Sequence, residues 1–94
     1  MSKPIPIAEA LSRFIRDQGF ERRLKEADLF RKWSQIAGDT VANNAIPEKL
    51  SDGLLFVKVE NPAWRTELSF MAEDIRKKIN DFMRSEVVKK IVFN

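Results

Sequence analysis

Residues 50–68 read LSDGLLFVKVENPAWRTEL, and this stretch decides the fold because it specifies a turn, a strand, a cap and a helix in succession. Asp52-Gly53 predicts a tight hairpin turn, since the positive φ angles of such a turn cost Gly little and are tolerable for Asp. Apolar residues then alternate with polar or exposed positions between Leu55 and Val59, which is typical of a strand with one buried face. Asn61 and Pro62 suit the N-cap and the first residue of a helix, so the strand is expected to run almost directly into that helix.

Two helices are predicted upstream of this stretch. The first is expected over residues 6–18 and is ended by Gly19, and the second begins after Phe20 and ends at Asn43-Asn44, with Gly38 loosening or kinking it. In the first helix the residues at helical spacing are Ile7, Leu11, Phe14, Ile15 and Gln18. In the second helix they are Leu24, Ala27, Phe30, Trp33 and Ala37, and the apolar stripe is widened by Leu29, Ile36 and Val41.

The remaining elements complete a small sheet and a long helix. A first strand is expected over residues 45–50, where Pro47 indicates an edge or a strand start, and a last strand over residues 87–93. The third helix is expected over residues 62–84, about 34 Å long, and its apolar face is Trp64, Leu68, Met71, Ile75, Ile79 and Phe82. The order α-α-β-β-α-β predicts an α+β two-layer sandwich, a small mixed three-stranded sheet with helices on one face.

Composition predicts one domain over residues 1–94 in a reducing compartment. The 94 residues are 44% apolar, enough for a single core, and they include no cysteine for a disulfide framework. No run of 18 apolar residues suits a membrane span, and the N-terminus lacks the apolar region of a signal peptide. We therefore expect a cytoplasmic protein with no membrane partner.

The chain is short of the residues on which catalysis commonly depends. It contains no histidine, cysteine or tyrosine, so the commonest general base, the thiolate nucleophile and the usual zinc ligands are missing. Its glycines, Gly19, Gly38 and Gly53, are too scattered for a phosphate-cradling loop. We expect no enzyme activity, no cofactor, no metal and no small-molecule substrate.

Charge is polarised along the chain although the net charge is only +3. Residues 1–25 and 61–94 are basic, and residues 26–60 are acidic. Three groups of cations are candidates for contact with nucleic-acid phosphates: Arg13, Arg16, Arg22, Arg23 and Lys25; Arg76, Lys77 and Lys78; Lys89 and Lys90. The alternative is an ordinary solvated surface, because acidic residues are interspersed with the first group.

Aromatic residues offer a second way to bind unpaired bases, by stacking. The helical spacing of Trp33 and Trp64 favours core positions for both over stacking platforms. Phe56 lies on the strand face opposite the expected core set, so it is exposed if the sheet is covered on one side and buried if both sides are covered.

The chain resembles the DciA family in an ordered series of motifs. These are Trp33-x4-Gly38, the alternating strand after Asp52-Gly53, Ala63-Trp64-x-x-Glu67-Leu68 and the closing Ile91-Val92-Phe93, together covering about residues 7–93. The resemblance implies a bacterial protein, a globular domain similar to the K-homology fold, affinity for DNA, and a role like that of loaders or operators of the replicative DNA helicase.

Two departures from the family pattern bear on function. The GxxG loop with which K-homology domains hold backbone phosphates is missing, so nucleic acid would have to bind elsewhere. Larger members carry an extension beyond the globular domain, and this sequence stops at Asn94. Three hypotheses remain open: a DNA-binding protein that assists the replicative helicase, a single-stranded RNA-binding module, and a structural adaptor that recognises another protein.

Overall fold

The computed structural model of the chain describes residues 6–17 and 19–94, and of residues 14–17 it describes the backbone alone. The elements over these residues are α1 (Ile7–Asp17), α2 (Phe20–Arg31), α3 (Trp33–Ala37), α4 (Asp39–Asn44), β1 (Ile46–Ser51), β2 (Leu54–Lys58), α5 (Pro62–Met83) and β3 (Lys90–Phe93). The predicted α+β class and element order are confirmed, except that the predicted second helix is divided into α2, α3 and α4.

Two residues divide that helix. Lys32 leaves the helical conformation with φ −103° and ψ 11°, and its N–H donates to Asp28 O at 3.1 Å. Gly38 has φ 91° and ψ 154°, which side-chain-bearing residues rarely adopt, so the predicted kink is a complete break. The three short helices bury Leu29, Trp33, Ile36 and Val41, whereas the expected stripe members Leu24 and Ala27 are exposed. The predicted stripe fails already within α2, where Leu29 is the buried residue, and the breaks at Lys32 and Gly38 end its continuation into α3 and α4.

The hairpin forms as predicted. Asp52 and Gly53 have φ values of 51° and 82°, the two positive angles of a type I′ turn, and the flanking residues Ser51 and Leu54 are paired. The sheet order is β1-β2-β3, with β2 antiparallel to β1 and parallel to β3. The parallel pairing follows from the topology, because α5 carries the chain back between β2 and β3.

The long helix α5 begins at the predicted cap. The Asn61 side chain accepts hydrogen bonds from the N–H groups of Ala63 at 2.8 Å and Trp64 at 3.3 Å, and Pro62 occupies the first turn. The helix has 22 residues, which corresponds to about 33 Å. It ends at Met83, and the C-cap residue Arg84 adopts the left-handed conformation with φ 53°.

The third strand is shorter than predicted, because residues 87–89 serve as a connection instead. Val88 is fully buried there, and its backbone is held by the side chain of Asn80 from α5. Asn80 Nδ2 donates to Val88 O at 2.8 Å, and Val88 N–H donates to Asn80 Oδ1 at 2.9 Å. The β-branched residues at 87 and 88 suggested a strand, but Val88 pairs with the Asn80 side chain and the Val87 N–H donates to Ser85 O at 2.8 Å.

One apolar core joins the helices to one face of the sheet. Its fully buried large side chains are Leu29, Leu55, Val57, Val59, Leu68, Ile79 and Val88. On the other face Leu54 is 36% exposed and Phe56 is partly buried, so this face remains partly open. Among the described residues, no helix has the length and apolar character needed to cross a membrane.

Candidate nucleic-acid interface

The cations of the first predicted group are spread over α1 and α2. Arg13 forms an ion pair with Glu9, with 3.1 Å between Nη2 and Oε1. Arg23 lies over the ring of Phe20, 6.0 Å from the ring centroid. The side chain of Arg16 lies outside the part of the chain described at side-chain level. The structure therefore does not gather all five residues at one place.

Arg22 and Lys25 instead face the hairpin turn across a shallow recess. Its lining comprises Gly19, Glu21, Arg22, Lys25, Leu50, Asp52, Gly53 and Val87. Carboxylates are present as well: Lys25 Nζ is 3.9 Å from Glu21 Oε1, and both groups are largely exposed. A pair at that distance and exposure contributes little stability, so the Lys25 ammonium keeps most of its freedom to bind another anion.

The first and third predicted groups meet beside this turn. The backbone N–H groups of Lys89 and Lys90 both donate to Gly53 O, at 2.7 and 3.2 Å. The stem of Lys89 covers the turn so closely that a Cβ at Gly53 would lie 2.9 Å from its Cγ and Cδ. Arg22, Lys25, Lys89 and Lys90 therefore border the same end of the sheet, and we call them the hairpin-end surface.

A second concavity, the helix–strand groove, runs between α5 and β3. It has a volume of about 450 Å³ and is lined by Arg65, Ser69, Ala72, Glu73, Arg76, Lys89, Lys90, Ile91, Val92 and Phe93. Of the second predicted group only Arg76 lines it, while Lys77 and Lys78 are exposed on α5 and line neither concavity.

Arg65 is a cation of this groove that the sequence reasoning missed. The spacing of Arg65, Ser69, Ala72 and Arg76 along one side of a helix was the available signal. Arg65 Nη2 donates to Val59 O at 2.7 Å, which ties the start of α5 to the end of the β2 segment.

Glu73 and Arg76 modify each other's ionisation. Arg76 donates to Glu73 through Nε at 2.9 Å and through Nη2 at 2.5 Å. These hydrogen bonds lower the pKa of Glu73 and raise the pKa of Arg76. Both groups are therefore charged at neutral pH, and part of the positive charge of Arg76 is already balanced inside the groove.

The two tryptophans differ in burial. Trp33 is 5% exposed and its Nε1 donates to Ala45 O at 2.8 Å, which confirms the predicted core position. Trp64 is only partly buried; it packs against the core, and part of it lines a small recess with Ala63 and Glu67. The predicted core position of Trp64 is therefore confirmed in part, because the side chain packs against the core but stays partly accessible.

The described residues offer anion binding more readily than bond-breaking chemistry. No group of three or more carboxylates that would hold a metal ion occurs among them. The cations of both concavities are supplied by arginine and lysine, which bind phosphate or carboxylate oxygens without proton transfer.

Comparison with known proteins decides the family. The family described as "Dna[CI] antecedent, DciA" matches residues 6–93, nearly the whole chain. The chain belongs to the DciA family. This confirms the resemblance drawn from the tryptophan, glycine and strand motifs.

Relatives of this DciA-family chain carry the name UPF0232 protein. One from Mycobacterium bovis and one from Rhodococcus jostii are each 31% identical over 88 residues, which is 94% of this chain and 47% of each relative. One from Mycobacterium marinum is 27% identical over the same length and the same shares. The chain therefore spans about half the length of these relatives.

Proposed function

We propose that this chain is a non-enzymatic, cytoplasmic DNA-binding protein that acts with the replicative DNA helicase. Membership of the DciA family supports the association with the helicase, because the words "Dna[CI] antecedent" refer the family to the helicase-loading machinery. The convergence of cations on the hairpin-end surface supports DNA as the ligand. The observation that carries the proposal is Lys89, whose stem covers the turn that Arg22 and Lys25 face.

The proposed contact is with backbone phosphates and independent of sequence. The hairpin-end surface takes its cations from α2 and from Lys89 and Lys90 at the entry to β3, so a phosphate backbone can be held from both sides of the turn. Glu21 and Asp52 border the same recess and limit its net positive charge. We therefore expect binding that weakens as salt rises, with a slope that reflects only a few phosphates.

The double variant Arg22→Glu/Lys25→Glu tests the surface. We expect it to lose at least tenfold in affinity for a 20-nucleotide single strand and for a matched fork. On the single strand the salt slope should fall by about 1.4, because two phosphate contacts of about 0.7 each are removed. Fluorescence anisotropy at several salt concentrations measures both quantities, and circular dichroism checks that helix content is kept.

The matched control is Lys77→Glu/Lys78→Glu, which makes the same change of charge on the exposed side of α5. We expect its affinity to stay within threefold of the natural chain. Equal losses in both variants would mean that net charge alone governs binding. A preference for RNA of matched length would favour the RNA-binding hypothesis. If neither DNA nor RNA binds at low salt, the adaptor hypothesis would be favoured.

A further inference from the structure

The two edges of the sheet are protected to different degrees. At the β1 edge, Pro47 removes a donor, a bulge interrupts the register between Pro47 and Lys49, and Glu26 Oε2 accepts from Leu50 N–H at 2.8 Å. These are features that prevent another strand from pairing with an edge. Among the described residues, the β3 edge contains no proline and no bulge, and no side chain accepts a hydrogen bond from its outward N–H groups.

The hydrogen bonds of β3 show which of its backbone groups face outward. Asn94 N–H donates to Val57 O and Asn94 O accepts from Val59 N–H, both at 2.9 Å, so Asn94 is directed towards β2. In a parallel ladder this orientation alternates along the strand. Ile91 and Phe93 therefore direct their N–H and C=O groups away from β2, into the helix–strand groove.

The groove beside this edge fits an extended chain. Four residues of β3 span about 13 Å, and the α5 wall from Arg65 to Arg76 spans about 16 Å. Ser69 and Ala72 are the small residues in the middle of that wall, and the arginines stand at its two ends. The distance between the ends suits acidic side chains four residues apart on one side of a strand.

The charge of the groove lining indicates what kind of peptide would bind there. Arg65, Arg76, Lys89 and Lys90 line the groove together with one carboxylate, Glu73, and the exposed Glu86 lies 3.9 Å from Arg76 Nη1, so the cations remain in excess. Arg65 Nε is buried and has no hydrogen-bond acceptor among the described residues, although it lies in this wall. The Arg65 residue as a whole is only partly buried, so a carboxylate of an incoming segment would meet its guanidinium from the groove side.

We propose that the helix–strand groove binds an extended acidic peptide of a partner protein, which adds as a fourth strand to β3. Main-chain hydrogen bonds to Ile91 and Phe93 give the affinity, and the arginines at the two ends select acidic side chains that flank a small residue. The free edge, with its alternating donors and acceptors, favours a peptide over a nucleic-acid strand.

The probe is an acetylated and amidated peptide of sequence TETATET, which places two glutamates and the central alanine on one side of a strand. We expect it to protect the amides of Ile91 and Phe93 from hydrogen exchange, as measured by NMR on the natural chain. The neutral peptide TQTATQT should bind at least fivefold more weakly. Two further versions of the probe are N-methylated, one at the odd-numbered residues and one at the even-numbered residues. Their affinities should differ, since only one of these sets contains the N–H donors that face β3.

Ser69→Glu blocks the groove in the protein itself, because it places a carboxylate in the wall within reach of Arg65. We expect it to weaken the peptide at least tenfold, whereas the matched change Ser34→Glu on α3 stays within twofold. Ser69 is exposed, so the fold tolerates this change, and the N-methylated probes test the proposal on the unaltered protein in any case.

Three results would overturn the proposal. The first is that the Ile91 and Phe93 amides stay unprotected at saturating peptide, and the second is that both N-methylated probes bind with equal affinity. The third is that a ten-nucleotide thymidine strand displaces the peptide, and that Ser69→Glu abolishes the binding of this strand. The last result would assign the groove to nucleic acid. DNA binding through Arg22 and Lys25 is measured with separate variants, so failure of one proposal can be distinguished from failure of the other.

Discussion

Asn80 shows how one polar residue determines a connection. It is the buried polar residue among the described residues, 8% exposed, on the same helix as the apolar Ile75 and Ile79. Its amide satisfies both backbone groups of Val88, which would otherwise be buried without partners. This fixes the path into β3 and therefore the positions of Lys89 and Lys90.

We predict that Asn80→Leu destabilises the protein by about 2–4 kcal/mol, because the N–H and C=O of Val88 lose their partners and each unsatisfied buried group costs about 1–3 kcal/mol. Chemical denaturation followed by circular dichroism measures the free energy of unfolding. Asn43→Leu on the exposed side of α4 is the control and should change it by less than about 0.5 kcal/mol. Equal stability of the two variants would show that Val88 finds other partners.

At the scale of elements, α2 both packs on the sheet and closes one of its edges. Glu26 accepts the outward N–H of Leu50, so the β1 edge is occupied by a side chain from α2. The β3 edge is instead bordered by a groove along α5. The same three strands therefore present one closed edge and one open edge.

Glu26→Ala is expected to lower the free energy of unfolding by about 1–2 kcal/mol, since a hydrogen bond to a charged, partly buried group is lost. Glu26→Gln should retain most of that stability, because the amide oxygen can accept the same bond. Glu21→Ala removes an exposed ion pair of the same helix and should cost less than about 0.5 kcal/mol. Thermal melts of the three variants make the comparison, and a loss in Glu21→Ala as large as in Glu26→Ala would contradict it.

For the whole molecule, function depends on surfaces that distant parts of the chain build together. The hairpin-end surface combines residues from α2 with Lys89 and Lys90 at the entry to β3. The helix–strand groove combines α5 with β3. The proposed partners, DNA and another protein, would thus occupy neighbouring sides of one sheet.

We predict that the chain binds the hexameric replicative helicase with a dissociation constant in the micromolar range, about −8 kcal/mol, because a small domain offers a modest interface. Sedimentation with the cognate helicase at physiological salt, with and without DNA, measures the association. A signal that appears only with DNA would indicate bridging by the nucleic acid. No association up to high micromolar helicase, with DNA binding intact, would separate this chain from the helicase.

The sequence was sufficient for features governed by neighbouring residues. The tight hairpin turn at Asp52-Gly53, the Asn61 cap, the extent of α5 and the fold class were all confirmed, because turn and cap preferences depend on a few adjacent side chains. The ordered motifs also identified the family. Local patterns failed at Lys32, where the helix breaks without a glycine or a proline.

Only the tertiary structure decided which cations meet. Lys77 and Lys78 adjoin Arg76 in sequence but point away from the groove, whereas Arg65, three turns earlier, lines it. Lys89 reaches the turn near Arg22 because Asn80 holds the connection before β3. Such contacts depend on strand order, crossover and the packing of a helix on a sheet, and these involve residues far apart in the chain that no local periodicity relates.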